Sequence, residues 1–429
     1  QAALDRLGTR LDAVAAQNRR SPQALRELLR QDPTMRLDAR GRLFAVDTLE
    51  RALPAAAPAI QTSGAAPAAL DQTFKLHSRP GAQRTIYLDF NGAVLTNTAW
   101  NSNGNTITAG PFDADGVVST DFSAAELERI QMIWQRVAED FAPLDIDVTT
   151  EEPRAGQLTR RNLADEVFGT TVLITSNVGV YDCTCGGVAY VGVFDNVGDR
   201  YKPALVFWNM LGSGNEKYVA EAISHEAGHN LGLSHDGYAG GGYYPGHGEG
   251  PTGWAPIMGV GYYRELVQWS QGEYATANNT EDDFVVMASN GGPRRPDDHG
   301  NAPDSATALT ATVDGTQVLL SGQGVIESRD DKDVFSFEAG AGVISLSVQP
   351  DSRSANLDVS LRLMDARGRT LGKLKPAETL GAAMSFEAPA AGTYYLQVNG
   401  VGIGDVRGTG YGDYGSLGQY RISGSVSAP

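Results

Sequence analysis

The chain has 429 residues, of which 41% are hydrophobic, 8% aromatic and 20% charged. That length predicts two to four domains, at about 100–200 residues each. A net charge of −17 argues against nucleic acid as a partner. The chain contains no apolar run of about 18 residues, so we expect no membrane-spanning helix. Because residue 1 is Gln and not Met, we expect that a signal peptide has been removed.

The first 53 residues differ from the rest in charge. They hold ten Arg and seven Asp or Glu, a net charge of +3, which leaves −20 for the remainder. Apolar residues at helical spacing over Leu4–Val14, and a helix-start signal at Ser21-Pro22, predict one or two helices. An extended piece, Arg36–Asp47, follows. So short a segment buries little by itself, and we expect it to dock on the acidic remainder.

An Ala/Pro-rich stretch, residues 54–75, predicts an extended linker that is open to proteolysis. Strands and helices then alternate over residues 76–292. The clearest helix is Ser123–Phe141, where Ser123 and Glu126 form a capping box. The other predicted elements are strands at Thr85–Phe90, Ile146–Thr150, Thr171–Ser176, Val188–Phe194 and Ala204–Met210, and helices at about Tyr218–Leu231 and Thr280–Ser289.

A second Pro- and Gly-rich stretch, residues 293–303, predicts another linker. Residues 304–429 then show short strands separated by turns and no helical period, which indicates an antiparallel β-sandwich. Seven strands are predicted, at Val318–Ser321, Asp333–Phe337, Val343–Val348, Leu357–Met364, Met384–Glu387, Thr393–Val398 and Tyr420–Val426.

The residues with the clearest chemistry lie at the end of the second helix of residues 76–292. His225 and His229 are one helical turn apart, so both imidazoles can reach one Zn²⁺ at about 2.0–2.1 Å. Glu226 lies at the edge of the same face and can take a proton from the attacking water. Gly232 allows the chain to turn sharply, which brings His235 back as a third ligand. Three imidazoles leave one coordination position open, as in catalytic zinc sites. The plainer alternative is a solvated helix with its cap.

The sequence His225-Glu-Ala-Gly-His229-Asn-Leu-Gly232-Leu-Ser-His235-Asp resembles the HExxHxxGxxH signature of the metzincins, and its reprolysin branch most. This resemblance covers residues 80–290 and implies an α+β catalytic domain, with a mixed twisted sheet, long helices and a zinc cleft. It also implies that Met258 forms the methionine turn below the metal. The Tyr ligand that some branches carry two residues later is absent, because Val260 stands there.

The resemblance further implies a substrate-binding edge strand before the zinc helix, formed by Gly187, Val188, Ala189 and Tyr190. A buried strand without contact to substrate is the alternative. Cys183 and Cys185 lie just before it. A local disulfide is our interpretation of the pair, with free thiols as the alternative.

The C-terminal region resembles the bacterial pre-peptidase C-terminal domain, on the residues Asp331-Lys-Asp333-Val-Phe-Ser-Phe337 and Ala391-Gly-Thr-Tyr-Tyr-Leu396. Such domains accompany secreted bacterial peptidases, and some related modules bind substrate or calcium. A bound Ca²⁺ ion is therefore a second expectation for this region. Its candidate ligands are Asp297, Asp298, Asn301, Asp330, Asp331 and Asp333. The alternative is that these acidic turns simply face solvent.

These features together predict a secreted bacterial zinc endopeptidase, a monomer that acts on proteins or peptides with Glu226 as general base. An adhesin with a vestigial zinc site and a zinc amidase are the alternatives. Residues 1–53 resemble a pro-region, so we expect a zymogen in which this segment covers the cleft. It has no Cys, which leaves Asp32, Asp38 and Asp47 as local candidates for a contact to zinc. Simple blocking of the cleft, or assistance in folding, remains the alternative.

Overall fold

The computed structural model describes residues 7–49, 53, 66–101, 104–117 and 121–429. The N-terminal segment, residues 7–49, contains two short helices and a hairpin. Ser21 caps the second helix by accepting a hydrogen bond from the Ala24 amide. The apolar side chains of the segment bury one another and Val191. The elements are α1 (Leu11–Gln17), α2 (Pro22–Gln31), β1 (Met35–Leu37) and β2 (Leu43–Thr48).

The first predicted linker is shorter than expected. Its Ala/Pro-rich part, residues 54–65, lies outside the described residues. Residues 66–75 are packed, because a 3₁₀ helix over Leu70–Lys75 lies against the first long helix. Gln131 of that helix donates to the Thr73 hydroxyl at 2.9 Å and accepts from the Ala68 amide at 2.9 Å.

The central region, residues 76–292, and the N-terminal segment share one sheet. The further strands of this region are β3 (Arg84–Asp89), β4 (Ala93–Leu95), β5 (Ile107–Ala109), β6 (Ile146–Thr149), β7 (Phe168–Thr175), β8 (Cys185–Tyr190) and β9 (Ala204–Phe207). Strands β4 and β5 form a separate antiparallel pair. The shared sheet has the strand order β1-β2-β8-β9-β7-β3-β6 among the described residues. Its β9-β7-β3-β6 part is parallel, whereas β8 runs antiparallel to β9 and β2 runs antiparallel to β8.

Two long helices pack on this sheet and on each other. The first, α3 (Ala124–Asp140), begins at the predicted capping box, in which Ser123 and Glu126 bond reciprocally. The second, α4 (Glu216–Asn230), is capped by the Asn215 side chain. Three shorter elements follow, β10 (Trp254–Pro256), β11 (Leu266–Gln268) and α5 (Asp283–Ser289). No helix within the described ranges has both the length and the apolarity that a membrane crossing needs.

The C-terminal region is a sandwich of two five-stranded sheets, ordered β12-β15-β20-β17-β18 and β13-β14-β21-β16-β19. Short strands such as Thr310–Asp314, which is exposed throughout, lack the apolar alternation that would predict them. The strands are β12 (Thr307–Ala308), β13 (Thr310–Asp314), β14 (Gln317–Ile326), β15 (Asp333–Ala339), β16 (Gly342–Pro350), β17 (Val359–Met364), β18 (Thr370–Leu374), β19 (Ala382–Ala388), β20 (Gly392–Gly400) and β21 (Gly418–Ser427).

The predicted linker over residues 293–303 is packed against the central region. Pro293 accepts a hydrogen bond from the Asp145 amide at 2.8 Å, and the Arg294 guanidinium lies 3.4 Å from the centre of the Phe284 ring. Buried apolar side chains of the central region and of the sandwich form one continuous cluster. The sandwich therefore packs directly on the central region, and residues 293–303 are part of that contact.

Candidate metal site

Helix α4 ends in the three histidines that the sequence singles out, and backbone carbonyls orient two of them. Nδ1 of His225 lies 2.9 Å from the Ile257 carbonyl, and Nδ1 of His229 lies 2.8 Å from the Leu233 carbonyl. Such bonds leave Nε2 of each ring free for a metal. Gly232 has a φ of +102°, the left-handed conformation expected after this helix. The chain therefore turns back and brings His235 to the same point.

Four donor atoms converge there, because Asp47 of β2 joins the three histidines. Nε2 of His235 lies 2.9 Å from Nε2 of His229 and 2.8 Å from Oδ1 of Asp47. Oδ2 of Asp47 lies 3.5 Å from Nε2 of His225 and 3.7 Å from Nε2 of His229. A tetrahedral zinc with bonds of about 2.0–2.1 Å separates its donors by about 3.3 Å. The spacing therefore suits one zinc ion.

Hydrogen bonding in this cluster is incomplete without a metal. His225 Nε2 and Asp47 Oδ2 are buried, and no described residue forms a hydrogen bond with either atom. A buried polar atom without a partner lowers the stability of the folded state. A cation bound to both of these atoms would remove that destabilisation. The residues present therefore fit a zinc ion on chemical grounds as well as by spacing.

Asp47 reaches this point because the pairing of β2 with β8 is irregular. Val46 pairs with Val188 and Thr48 pairs with Cys185, so Asp47 lies opposite two residues of β8, Gly186 and Gly187. Such a β-bulge bends the strands locally and redirects a side chain. Here the carboxylate lies among the histidines.

A second carboxylate of the N-terminal segment contacts the third histidine from its other side. Oδ2 of Asp32 lies 2.5 Å from Nδ1 of His235, and Thr34 donates its hydroxyl to Oδ1 of Asp32 at 2.5 Å. Asp38 does not belong to the group of converging donor atoms. It accepts hydrogen bonds from the amides of Arg40 and Arg42 and so shapes the turn before β2.

Glu226 lies beside the same point. It is 1% exposed, and a Cβ atom placed on Gly187 would come within 2.1 Å of its Oε1. Only glycine is therefore compatible with this approach of the carboxylate to β8. Oε2 of Glu226 has no hydrogen-bond partner among the described residues. Burial, and then the neighbouring Asp47, raise the pKa of Glu226 well above its usual value.

The protein groups alone produce opposite shifts in two of the imidazoles. Burial lowers the pKa of His225 to about 3. Burial also acts to lower the pKa of His235, but Asp47 and Asp32 outweigh it and raise that pKa to about 10. Burial tends to raise the pKa of Asp47, yet His225 and His235 hold it well below the usual value. The cluster thus places the negative charge of Asp47 where a cation is expected.

Met258 lies where a methionine turn is expected. It is fully buried, and a Cβ atom on Gly228, in the middle of the histidine motif, would lie 2.7 Å from its Sδ. Tyr243 is a site residue that the sequence analysis missed. Its hydroxyl donates to Oδ1 of Asp47 at 2.9 Å, and its ring centre is 4.5 Å from that of His235. A small cavity beside His225 is lined by Ala222, Tyr243, Gly259, Val260 and Tyr262.

Gly187, Val188, Ala189 and Tyr190 all lie in β8 and are buried. Within the central region β8 is the outermost strand of the sheet, but its free edge is covered by β2 of the N-terminal segment. In the intact chain β8 is therefore not an edge strand. Cys183 and Cys185 form a disulfide just before and at the start of β8.

The acidic residues proposed for calcium fall into two overlapping groups. Asp297 lies with Glu327 and Asp331, and also with Asp298 and Asp333. Glu327, which the sequence analysis missed, is 4% exposed, and neither of its carboxylate oxygens has a hydrogen-bond partner among the described residues. Arg295 lies 3.4 Å from one of them. Asp330 belongs to neither group. Asn301 donates its side-chain amide to Asp297.

Comparison with known proteins gives two family matches. Residues 155–236 match the reprolysin-like metallopeptidases of family M12B, and this match ends one residue after His235. Residues 331–400 match the bacterial pre-peptidase C-terminal domain. No curated protein matches the chain significantly.

Solved structures similar to part of the chain include the pre-peptidase C-terminal domain of a collagenase from Bacillus anthracis. It is 19% identical, with 29% of this chain and 99% of that chain covered and a TM-score of 0.20. A periplasmic inhibitor of g-type lysozyme from Aeromonas hydrophila is 14% identical, with 28% and 96% covered and a TM-score of 0.19. On the family matches, the chain carries a region similar to the reprolysin-like metallopeptidases, followed by one similar to the bacterial pre-peptidase C-terminal domain.

Proposed function

We propose that this protein is a secreted bacterial zinc endopeptidase that is made as a zymogen. The observation that carries the proposal is the convergence of three histidine Nε2 atoms beside the buried carboxylate of Glu226. His225, His229 and His235 would hold the ion. Zinc in such a site polarises the scissile carbonyl and lowers the pKa of water. Glu226 takes the proton from the attacking water and passes it to the leaving amine.

An extended peptide is the substrate that the site suits best. In the intact chain β2 pairs antiparallel with β8, with Phe44 opposite Tyr190 and Ala45 opposite Ala189. When β2 leaves, the main-chain groups of β8 become available to another extended strand. The cavity beside His225 would then receive a side chain next to the cleaved bond. A zinc amidase acting on a non-peptide substrate has no use for such a strand.

The N-terminal segment supports the zymogen part of the proposal. Asp47 would be a fourth ligand in place of a water molecule, and it lies against the base, Glu226. Several arginines of the segment attach it to the central region. Arg19 pairs with Asp195 at 2.9 Å, Arg20 donates to the Ser234 hydroxyl at 2.7 Å, and Arg42 donates to the carbonyls of Val191 and Gly192. Cleavage in the Ala/Pro stretch 54–65 would allow the segment to leave.

A second cation, Ca²⁺, is proposed for the acidic groups around Asp297. The specific support is Glu327, because neither oxygen of this buried carboxylate accepts a hydrogen bond from a described residue, and the Arg295 guanidinium lies 3.4 Å from only one of them. A bound cation would offset the cost of burying this charge. The ligand oxygens would come from residues 297–298, which precede the sandwich strands, and from residues 327–333, between β14 and the start of β15. An ion there would connect these two segments.

The test uses casein as substrate with the chain cleaved between residues 54 and 65. We expect hydrolysis that a chelator abolishes and added zinc restores. Glu226→Gln should retain zinc and lose about 10³-fold or more in turnover, because general-base catalysis alone contributes about 10²–10⁴-fold. Zinc binding without hydrolysis of casein or of a peptide library would instead favour an adhesin with a vestigial site. Full turnover by Glu226→Gln would remove this residue from the mechanism.

A further inference from the structure

One asparagine of the sandwich forms hydrogen bonds with two elements of the central region. Asn356 lies just before β17 and is 4% exposed. Its side-chain amide donates to Oδ1 of Asp140, at the end of α3, at 2.7 Å. Its backbone carbonyl accepts a hydrogen bond from Nε2 of Gln268, at the end of β11. Asn356 therefore joins two elements of the central region that are far apart in sequence.

The contact with Asp140 connects Asn356 to α4, the helix that carries His225 and His229. Oδ2 of Asp140 accepts a hydrogen bond from the Ser224 hydroxyl at 2.5 Å, and Ser224 immediately precedes His225. The backbone carbonyl of Asp140 accepts from Nε1 of Trp269 at 2.6 Å. A Cβ atom on Gly228 would lie 3.3 Å from the Trp269 ring, so this ring packs on α4 between the two helical histidines. Asp140 thus fixes both the start and the middle of the histidine motif.

The contact with Gln268 leads to the same histidine by a second route. The Gln268 carbonyl accepts a hydrogen bond from the Ile257 amide at 2.9 Å. The Ile257 carbonyl in turn lies 2.9 Å from Nδ1 of His225. Oε1 of Gln268 accepts from Nε1 of Trp254 at 2.9 Å, which holds its side chain in the orientation that reaches Asn356.

We propose that Asn356 is a positioning residue for the zinc site and that the sandwich is therefore part of the metal-binding structure. The two routes meet at His225, one through the helix that carries it and the other through the carbonyl that orients its ring. Without Asn356, Oδ1 of Asp140 is left buried and unpaired, and Asp140 becomes free to move with Ser224. Residues that bond directly to metal ligands change metal affinity by about 10–100-fold when removed, and Asn356, which acts through Asp140, should have an effect at the low end of that range. This inference rests on the proposed zinc function.

The experiment compares two variants of the full chain. Asn356→Ala removes the side-chain hydrogen bond to Asp140 and leaves the backbone carbonyl that accepts from Gln268, so it interrupts the first route only. Gln419→Ala is the matched control, because Gln419 donates an amide hydrogen bond across the same domain boundary to the adjacent carboxylate, Glu139, at 3.0 Å. In this variant Glu139 keeps its hydrogen bond to the backbone amide of residue 419. The described residues show no hydrogen bond from Glu139 to α4. The measurements are the rate of zinc transfer to a chelator, the visible spectrum of the cobalt-substituted protein and the melting temperature.

We expect Asn356→Ala to release zinc about tenfold faster and to shift the cobalt spectrum. Gln419→Ala should do neither, even if both variants melt at a lower temperature. Equal zinc release in wild type and Asn356→Ala would overturn the inference while leaving the proposed function intact. A wild-type chain that binds no zinc would overturn both.

A second variant covers the case in which Asn356→Ala does not fold. Ser224→Ala removes the hydrogen bond from α4 to Asp140 and leaves Asn356 in place. It should also speed zinc release and shift the cobalt spectrum. Unchanged zinc release in this variant would show that Asp140 does not position the helix, and the inference would be wrong.

Discussion

Oδ1 of Asp47 lies 2.8 Å from Nε2 of His235, although the two residues are 188 positions apart in the chain (235 minus 47). A β-bulge directs the first side chain to this point, and the left-handed Gly232 directs the second. Because Nε2 of His235 is also the atom that would bind zinc, the Asp47 carboxylate of the N-terminal segment would be a further ligand to the ion. The consequences can be tested residue by residue.

Asp47→Ala should make the intact chain partly active. The substitution removes the carboxylate from the metal and from Glu226, while the strand pairing of β2 remains. Hydrogen bonds to charged groups contribute about 1.5–3 kcal/mol. Their loss should therefore raise the fraction of chains with an open, active cleft by about tenfold or more. Hydrolysis of a small peptide by the uncleaved variant measures it.

The control for this prediction is Asp38→Ala, which removes a carboxylate from the same segment but not from the site. It should leave the intact chain latent. Equal latency of the Asp47 and Asp38 variants would show that β2 blocks the cleft without help from its carboxylate.

Asp32→Asn should weaken zinc binding in the intact chain only. Asp32 contacts Nδ1 of His235, so its loss removes the partner that orients this ligand. We expect the affinity for zinc, measured by competition with a chromophoric chelator, to fall by about 10–100-fold. After removal of residues 1–53, the variant and the wild type are the same protein and must agree. No change in the intact chain would mean that Asp32 only anchors the segment.

The acidic groups of the sandwich predict a dependence of stability on pH and calcium. Burial, with Asp331 and Asp298 nearby, raises the pKa of Glu327 to about 9, and burial raises that of Asp333 to about 8. In the unfolded chain both titrate near about 4. Between pH 4 and about 9 the folded state therefore holds protons that the unfolded state has lost. Stability should fall as pH rises.

Calcium should reverse this fall, since it replaces the protons. Melting curves in calcium and in a chelator should differ little at pH 5 and clearly at pH 8.5. Glu327→Gln should reduce the calcium effect at pH 8.5. If the curves in calcium and in the chelator coincide at pH 5 and also at pH 8.5, a functional cation site at these residues is excluded.

A chain that ends at residue 302 should be strongly destabilised. The sandwich shares a continuous apolar cluster with the central region, and it supplies partners to the buried carboxylates Glu139 and Asp140. We expect a lower melting temperature and binding of a hydrophobic dye at ambient temperature. A truncated protein with the melting temperature of the full chain would show that the two regions are independent.

The sequence predicts the histidine motif well because all its geometry is local. Helical spacing fixes His225 against His229, and a single glycine determines the return of His235. Asp47 could be named only as one of three candidates. Its selection depends on the register between β2 and β8, and that register depends on a bulge at Gly186 and Gly187 of β8, which no local pattern specifies.

The contacts missed by the sequence analysis are all long-range. Tyr243 comes from a Gly- and Tyr-rich loop without periodicity, and Glu327 stands at the end of a strand among ordinary polar residues. The packing between the central region and the sandwich is not visible in the sequence, because a Pro- and Gly-rich stretch resembles a linker. Arg294 and Pro293 instead make specific contacts with the central region there.

The most direct test of this account is the activity of the zinc-loaded chain before and after cleavage between residues 54 and 65. The account predicts one zinc per chain in both states, and hydrolysis of casein that rises by about 100-fold or more on cleavage, because several buried contacts of about 1.5–3 kcal/mol hold the segment in place. A chain that is fully active before cleavage would contradict the role of Asp47. A cleaved, zinc-loaded chain without peptidase activity would contradict the proposed function.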